Sequence, residues 1–207
     1  VLSVDQDHNV TEVLITPAIT GECNVSLEMF IMRTDFLKKI VQESASKSQH
    51  SLVRDILQGR KDEFVIKGYE HKGVFTKIDS LAAYYQANMS LLKAESRTGL
   101  FREDAPIYTK VGDNAPVKYG LESNVKNSLV ADGCVIEGSV ENCILFRGVR
   151  IGKDTVVKNC VLMQGTHVGE KCNIEAIVAD KNVEISNERV LTGSSDFPLY
   201  LGKNAKI

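Results

Sequence analysis

One five-residue signature returns three times in the second half of this chain and decides most of what that half can become. Lys126-Asn127-Ser128-Leu129-Val130 reappears as Glu141-Asn142-Cys143-Ile144-Leu145, as Lys158-Asn159-Cys160-Val161-Leu162, and more weakly as Glu175-Ala176-Ile177-Val178-Ala179. The offsets are 15, 17 and 17 residues. In phase with it, Gly148-Val149-Arg150-Ile151-Gly152 becomes Gly165-Thr166-His167-Val168-Gly169, again 17 residues on. Within each period the aliphatic residues advance by six, six and five, as in Leu145, Ile151, Val157, Leu162, Val168 and Ile174. A fixed period of this length marks a solenoid, in which each repeat buries its apolar face only against its neighbours. A six-residue step with one inward aliphatic, and Gly or Asn at the turn, describes a three-sided prism of short parallel strands, because Gly and Asn tolerate the positive φ of a sharp corner. A β-sandwich would instead show period-two alternation without a fixed repeat. The expected fold is a hexapeptide β-helix of four or five coils, each stacked about 4.8 Å above the last, on the order of 20 Å tall.

Before residue 100 the pattern differs, and apolar runs mix with helical periodicity. Val25 to Met32 has the length and apolar density of a buried strand, and Thr34 or Asp35 offers an N-cap for a helix over Phe36 to Ser44. Leu52, Ile56 and Leu57 fit one face of a second short helix, and Phe64-Val65-Ile66 and Val74-Phe75 read as strands around a polar turn. Asp79 or Ser80 then caps a longer helix carrying Leu81, Tyr84, Tyr85, Leu91 and Leu92, stopped by Gly99. The first part is therefore α/β.

With 207 residues, 43% of them apolar, the chain can bury a core in one domain or two small ones. Its 25 basic and 27 acidic residues leave a formal charge of -2 with no long run of one sign, so nothing supplies the basic face that a nucleic-acid backbone requires. No apolar run approaches a membrane span, and neither nucleic acid nor membrane is an expected partner. The five cysteines, at 23, 134, 143, 160 and 172, contain no C-x-x-C pair, which points to a reducing, cytoplasmic setting rather than to a disulfide framework or zinc site. The chain opens Val-Leu-Ser-Val-Asp rather than with Met, as a strand entered midway would, and is expected to be a piece of a longer protein.

Few residues stand out as carriers of chemistry. His167 lies inside a repeat, where an acyltransferase reading would make it a base, but its place beside inward Val168 turns it to solvent. Cys143, Cys160 and Ser128 occupy equivalent corner positions in successive coils, which suit a small buried residue rather than a nucleophile. Arg147 and Arg150, with Arg102 and Lys118, form a candidate anion or effector site at a domain junction.

The segment Gly73-x-x-x-x-Ile78-Asp79-Ser80-Leu81, followed by Gln86-Ala87-Asn88-Met89-Ser90-Leu91-Leu92, resembles the end of the catalytic domain of the glucose-1-phosphate adenylyltransferase family. Pro106-Ile107-Tyr108-Thr109 is similar to the entry into that family's β-helix, and the Val-x-Asn-Ser/Cys and Gly-Val-Arg-Ile-Gly repeats agree. The resemblance covers almost the whole chain. It implies the C-terminal portion of a nucleotidyltransferase-like α/β domain at 1–97, a linker at 98–110 and a left-handed parallel β-helix at 111–207.

The departures from the family pattern carry as much information. Ile15-Thr16-Pro17 stands where the family has Glu-Lys-Pro for the sugar phosphate, and Ser26-Leu27-Glu28 stands for Ser-Met-Gly, leaving Ser26 and Glu28 as a vestigial sugar pocket. Val74 replaces the Asp that binds the catalytic magnesium, and a valine offers Mg²⁺ no oxygen. The resemblance thus implies a regulatory or assembly subunit without catalytic or metal-binding residues of its own. Its expected partner is a catalytic subunit of the same enzyme, in a hetero- or homo-oligomer formed through the β-helix. That complex would use Mg²⁺ to join ATP and glucose 1-phosphate into ADP-glucose and pyrophosphate for glycogen synthesis. Two other readings remain: a competent nucleotidyltransferase whose charged roles have moved, to Lys67 or Glu28 for example, and a hexapeptide acyltransferase acting through His167.

Overall fold

A computed structural model describes residues 1–15, 17–18 and 20–207. The chain divides into two compact units, Val1–Lys72 and Gly73–Ile207.

In the first unit β1 (Leu2–Val4) and β2 (Val10–Val13) pair antiparallel, with Leu2 opposite Val13. The turn between them is held by the Asp5 carboxylate, which accepts the amides of Asp7 at 2.9 Å and Asn9 at 2.8 Å. Helix α1 (Thr34–Ser46) buries Ile40. Its cap position is Arg33, one residue before the expected Thr34 or Asp35, and no side chain caps it. The second short helix is present as a wide, π-helical stretch over Leu52–Gln58, capped by the Ser51 hydroxyl, which accepts the Arg54 amide at 3.1 Å. Phe36 meets Phe64 edge to face at 5.0 Å, and Arg60 lies over the Phe64 ring while pairing with Glu43 and Glu63.

Three expected strands do not form. Val25–Met32 has no strand partner among the described residues, and Val25, Met29, Phe30 and Ile31 are exposed, Ile31 fully so at 104%. Phe64–Ile66 contributes only a bridge region, through the Val10 amide bonding the Ile66 carbonyl and an isolated pairing of Asn9 with Lys67. Val74-Phe75 is also unpaired. Apolar density marks a segment that favours burial, but a strand exists only where a second backbone satisfies its amides and carbonyls.

The second unit opens with α2 (Leu81–Ser90), capped by the Ser80 hydroxyl accepting the Ala83 amide at 3.1 Å. The single longer helix expected here is two: α2 ends at Ser90, and α3 (Ala94–Leu100) follows with Gly99 inside it rather than at its stop. Arg97 ties the pair together, donating to the carbonyls of Leu91 and Leu92.

The repeats fold into a parallel β-solenoid whose three faces each hold five strands. One face is β3 (Lys118–Tyr119), β6 (Val135–Ile136), β9 (Arg150–Ile151), β12 (His167–Val168) and β15 (Glu184–Ile185). The next is β4 (Asn124–Lys126), β7 (Ser139–Glu141), β10 (Val156–Lys158), β13 (Asn173–Glu175) and β16 (Val190–Thr192). The third is β5 (Leu129–Val130), β8 (Ile144–Leu145), β11 (Val161–Leu162), β14 (Ile177–Ala179) and β17 (Leu199–Leu201). Leu145, Ile151, Val157, Leu162, Val168 and Ile174 are all buried in one continuous core, as the stepping predicts.

The corners explain the choice of Asn. Asn127, Asn142 and Asn159 have φ of 42°, 53° and 53°, and their amides form a ladder, 2.7 Å from Asn127 to Asn142 and 3.3 Å from Asn142 to Asn159. Ala176 takes the same corner at φ 52° without an amide to offer. Gly152 answers a different need, since a Cβ there would lie 2.6 Å from the Gly169 carbonyl oxygen of the coil above.

A left-handed corner costs a side-chain-bearing residue roughly 1–2 kcal/mol, which Gly avoids and Asn partly recovers. Asn142→Ala should therefore lower the unfolding free energy in urea by about 1 kcal/mol or more, and Ala176→Gly should raise it by about 0.5–1 kcal/mol. Equal midpoints for all three proteins would mean that the corners are not strained.

Candidate functional site

The segment that the resemblance associates with metal and sugar phosphate leads directly into α2. Val74 is half exposed, at 50%, and carries no ligating atom. Asp79, the nearest carboxylate along this segment, faces Lys77 at 3.6 Å, and Ser80 is committed to the helix cap. Ile15 and the pair Ser26 and Glu28 belong to the first unit, and Thr16 lies outside the described residues. The Ser26 hydroxyl accepts the Glu28 amide at 3.2 Å, and Glu28 has φ 57°. The resemblance aligns Glu28 with a family Gly, and the backbone at Glu28 is turned as glycine favours.

From this segment α2 runs onto the third face of the solenoid. The register of that face turns Leu129, Ile144, Val161, Val178 and Tyr200 outward, an apolar column broken only by the tyrosine hydroxyl. The corresponding outward row on the neighbouring face reads Lys126, Glu141, Lys158, Glu175 and Thr192. Tyr85 packs on Val161 and Val178, with Tyr84, Met89 and Met163 around it. The Tyr85 hydroxyl donates to the Asn159 carbonyl at 2.8 Å, and Gln86 Nε2 donates to the Ser195 carbonyl at 3.0 Å. Burial is the main reason the Tyr85 phenol is pushed up to about 12, with Cys160, Cys143 and Glu175 adding to it. The helix that follows the Val74 segment is thus fixed to the stiffest part of the chain.

The four candidate cations are dispersed. Arg102 pairs with Asp104, and Arg147 Nε pairs with Asp132 at 3.1 Å while its guanidinium also donates to the Lys110 carbonyl. Asn114 Nδ2 donates to the other Asp132 oxygen at 2.8 Å, and this bond together with Arg147 holds the Asp132 carboxyl below its usual range. These bonds fasten the linker to the start of the solenoid. Lys118 and Arg150 share an outward row, separated by Val135, which places them two rungs or about 10 Å apart. His167 follows Arg150 in that row, exposed, with Glu184 beyond it.

Four of the five free cysteines are buried, and only Cys23 is exposed. Cys143 and Cys160 lie one coil apart, with the Cys160 amide donating to Cys143 Sγ at 3.4 Å. Burial, and next the Cys143 sulfur, push the Cys160 thiol well above its usual range, so it is a core residue rather than a nucleophile.

Residues 115–195 match the GlmU-like, C-terminal hexapeptide family. Over 178 residues, 86% of this chain, the sequence is 43% identical to the glycogen biosynthesis protein GlgD of Bacillus subtilis (strain 168). The chain is a GlgD homologue. GlgD of Geobacillus stearothermophilus is 39% identical over 132 residues, covering 64% of this chain and 38% of that protein. Glucose-1-phosphate adenylyltransferase of the same organism is 32% identical over 164 residues, covering 76% of this chain and 41% of that enzyme. The chain spans about half the length of the relatives it matches, 52% in the case of the Bacillus subtilis GlgD.

Two features of this GlgD homologue escaped the sequence reading. The Tyr85 hydrogen bond joins residues 74 apart and leaves no local pattern. The other is a loop at residues 193–197, whose signal was present: the offset from β14 to β17 is 22, from Ile177 to Leu199, where the offset from β11 to β14 is 17.

Because the folded state raises the Tyr85 pKa above its ordinary value of 10.0, it favours the protonated phenol, and the stability this contributes is present below pH 10 and lost as pH rises towards 12. Tyr85→Phe should cost about 1 kcal/mol at pH 8. The gap between the two proteins in urea unfolding should then narrow above pH 10; a constant gap would mean the hydroxyl is not held in this bond.

Proposed function

We propose that this chain is the C-terminal part of a regulatory and assembly subunit of glucose-1-phosphate adenylyltransferase, acting in glycogen biosynthesis. The complex it serves joins ATP and glucose 1-phosphate into ADP-glucose and pyrophosphate. What supports this reading is the similarity to GlgD together with the valine at position 74, where the family resemblance expects a metal-binding Asp. Nucleotidyl transfer relies on a cation to neutralise charge gathering on the phosphates. Magnesium takes oxygen ligands, and the Val74 segment supplies an aliphatic side chain followed by an Asp facing Lys77. These residues do not fit the metal, so the reading derives no catalytic step from this chain and assigns Mg²⁺ to the catalytic partner.

Physical support for an assembly role comes from the solenoid. Its fifteen strands form three ladders, and among the described residues β3, β4 and β5 at one end and β16 and β17 at the other have no further strand beyond them, while β15 is bonded by residues 205–207. A contact made by so rigid a body changes a partner's activity only where it binds that partner's states unequally. The free, buried thiols agree with a cytoplasmic setting. No helix among the described residues is long and apolar enough to cross a membrane.

Sedimentation velocity on the intact protein mixed with the glucose-1-phosphate adenylyltransferase of the same source tests the assembly. A species heavier than either alone, containing both, is expected at micromolar concentration. Independent sedimentation of the two would remove the basis for the proposal.

A further inference from the structure

The solenoid departs from its period by insertion at only one place among the described residues. Five extra residues, 193–197, leave the ladder between β16 and β17, as the 22-residue offset from Ile177 to Leu199 shows. An insertion in an otherwise regular repeat maps to a loop on one face, often the face that binds.

This loop is locked rather than slack. The Gly193 amide donates to the Glu175 carbonyl at 2.9 Å, and a Cβ on Gly193 would lie 2.6 Å from the Leu199 nitrogen, so the neck of the loop is closed. Within it the Ser194 amide donates to the Phe197 carbonyl at 3.0 Å, and the Phe197 amide donates to the Ser194 hydroxyl at 3.1 Å. Gln86 of α2 holds the Ser195 carbonyl from outside, and Pro198 is buried behind it. What this framework presents is Phe197, 84% exposed. Tyr200, three residues on, is half exposed and donates its hydroxyl to Asp180 at 3.2 Å.

An exposed Phe on a hydrogen-bonded loop forgoes its burial energy within the chain, while the ordering cost of binding has already been met by folding. Aromatic anchors of this kind dominate binding when they enter an apolar pocket on a partner protein. Two carboxylates stand beside these rings, Asp196 next to Phe197 in sequence and Asp180 bonded to the Tyr200 hydroxyl, which suits a pocket bordered by Lys or Arg. Phe197 carries no hydrogen-bonding group, so insertion into a protein pocket fits it better than recognition of sugar hydroxyls.

We infer that Phe197, presented by the 193–197 loop and flanked by Tyr200, is the anchor through which this chain grips its partner subunit, entering an apolar pocket with a basic rim. The inference rests on the subunit reading above.

The test is the affinity of the intact protein for the catalytic glucose-1-phosphate adenylyltransferase, measured by surface plasmon resonance for the wild type, Phe197→Ala and Phe197→Asp. Thermal unfolding of each is followed in parallel, and binding of maltoheptaose is measured on the same surfaces. Both variants should unfold within a few degrees of the wild type, with affinity for the subunit falling at least tenfold and further for Asp than for Ala. Should Asp prevent folding, Phe197→Ala and Phe197→Ser carry the comparison. Wild-type binding with unchanged affinity in the variants would overturn this inference and leave the subunit reading standing. Failure of the wild type to bind would overturn both. Loss of maltoheptaose binding without loss of subunit binding would make the loop a glycan site and overturn the protein-anchor assignment.

Discussion

Every coil of the solenoid must return its chain to the same place one strand spacing higher, and that requirement sets nearly all the rest. The inward residues then stack in columns, Ile136 under Ile151 under Val168 on one face and Val140 under Val157 under Ile174 on the next. Parallel ladders satisfy the backbone of each coil through its neighbours, so no coil is stable alone. The requirement falls hardest on the corners. Asn127, Asn142 and Asn159 meet it with left-handed backbone and a side-chain ladder, and Gly152 meets it where two backbones come too close for a Cβ. Buried threonines take part as well, Thr155 donating to the Gly169 carbonyl at 2.6 Å and accepting the Cys172 amide at 3.0 Å, so the interior holds few unsatisfied polar groups.

Stiffness in the solenoid reaches the preceding segment through a single helix. The third face differs from the others in carrying a continuous outward column of aliphatics, Leu129, Ile144, Val161 and Val178, and α2 covers Val161 and Val178 there with Tyr85 at its centre. Ser80 starts this helix immediately after the segment that holds Val74. A contact made on the solenoid and the region around Val74 to Asp79 are therefore joined by a packed helix rather than by a free linker. The Asp132 to Arg147 pair, with Asn114 and the Lys110 carbonyl, gives the intervening linker its own anchorage.

How much of this was legible depended on whether a residue's role is local. The inward columns of the solenoid were readable position by position, because the aliphatics recur at a fixed step, and Asn127, Asn142 and Asn159 announce their corners, whereas the corner at Ala176 and the 193–197 loop carry no such mark. The strands expected at Val25–Met32 and Val74-Phe75 were not realised, since a strand depends on a partner segment that its own sequence does not specify. Helix α1 was expected from a cap at Thr34 or Asp35, but those residues lie inside it and the cap is Arg33, whose side chain makes no capping bond that a sequence could announce. The candidate cations were legible as charges but not as pairs. Arg102 and Arg147 find Asp104 and Asp132 inside the chain, the second across 15 residues, and leave Lys118 and Arg150 outside any ion pair among the described residues.

The proposal of a subunit that works on another protein rests on a prism of stacked coils, a helix packed against it and a valine at position 74, where the family resemblance expects a metal-binding Asp. ADP-glucose synthesis by the intact protein, assayed alone and then titrated into the catalytic subunit at fixed ATP, glucose 1-phosphate and Mg²⁺, tests that claim most directly. The account predicts no turnover above background for the protein alone, together with a changed rate or half-saturation of its partner. A substantial rate from the protein by itself would contradict it, and would require the metal and sugar phosphate to be held by residues other than those at positions 15, 16, 28 and 74.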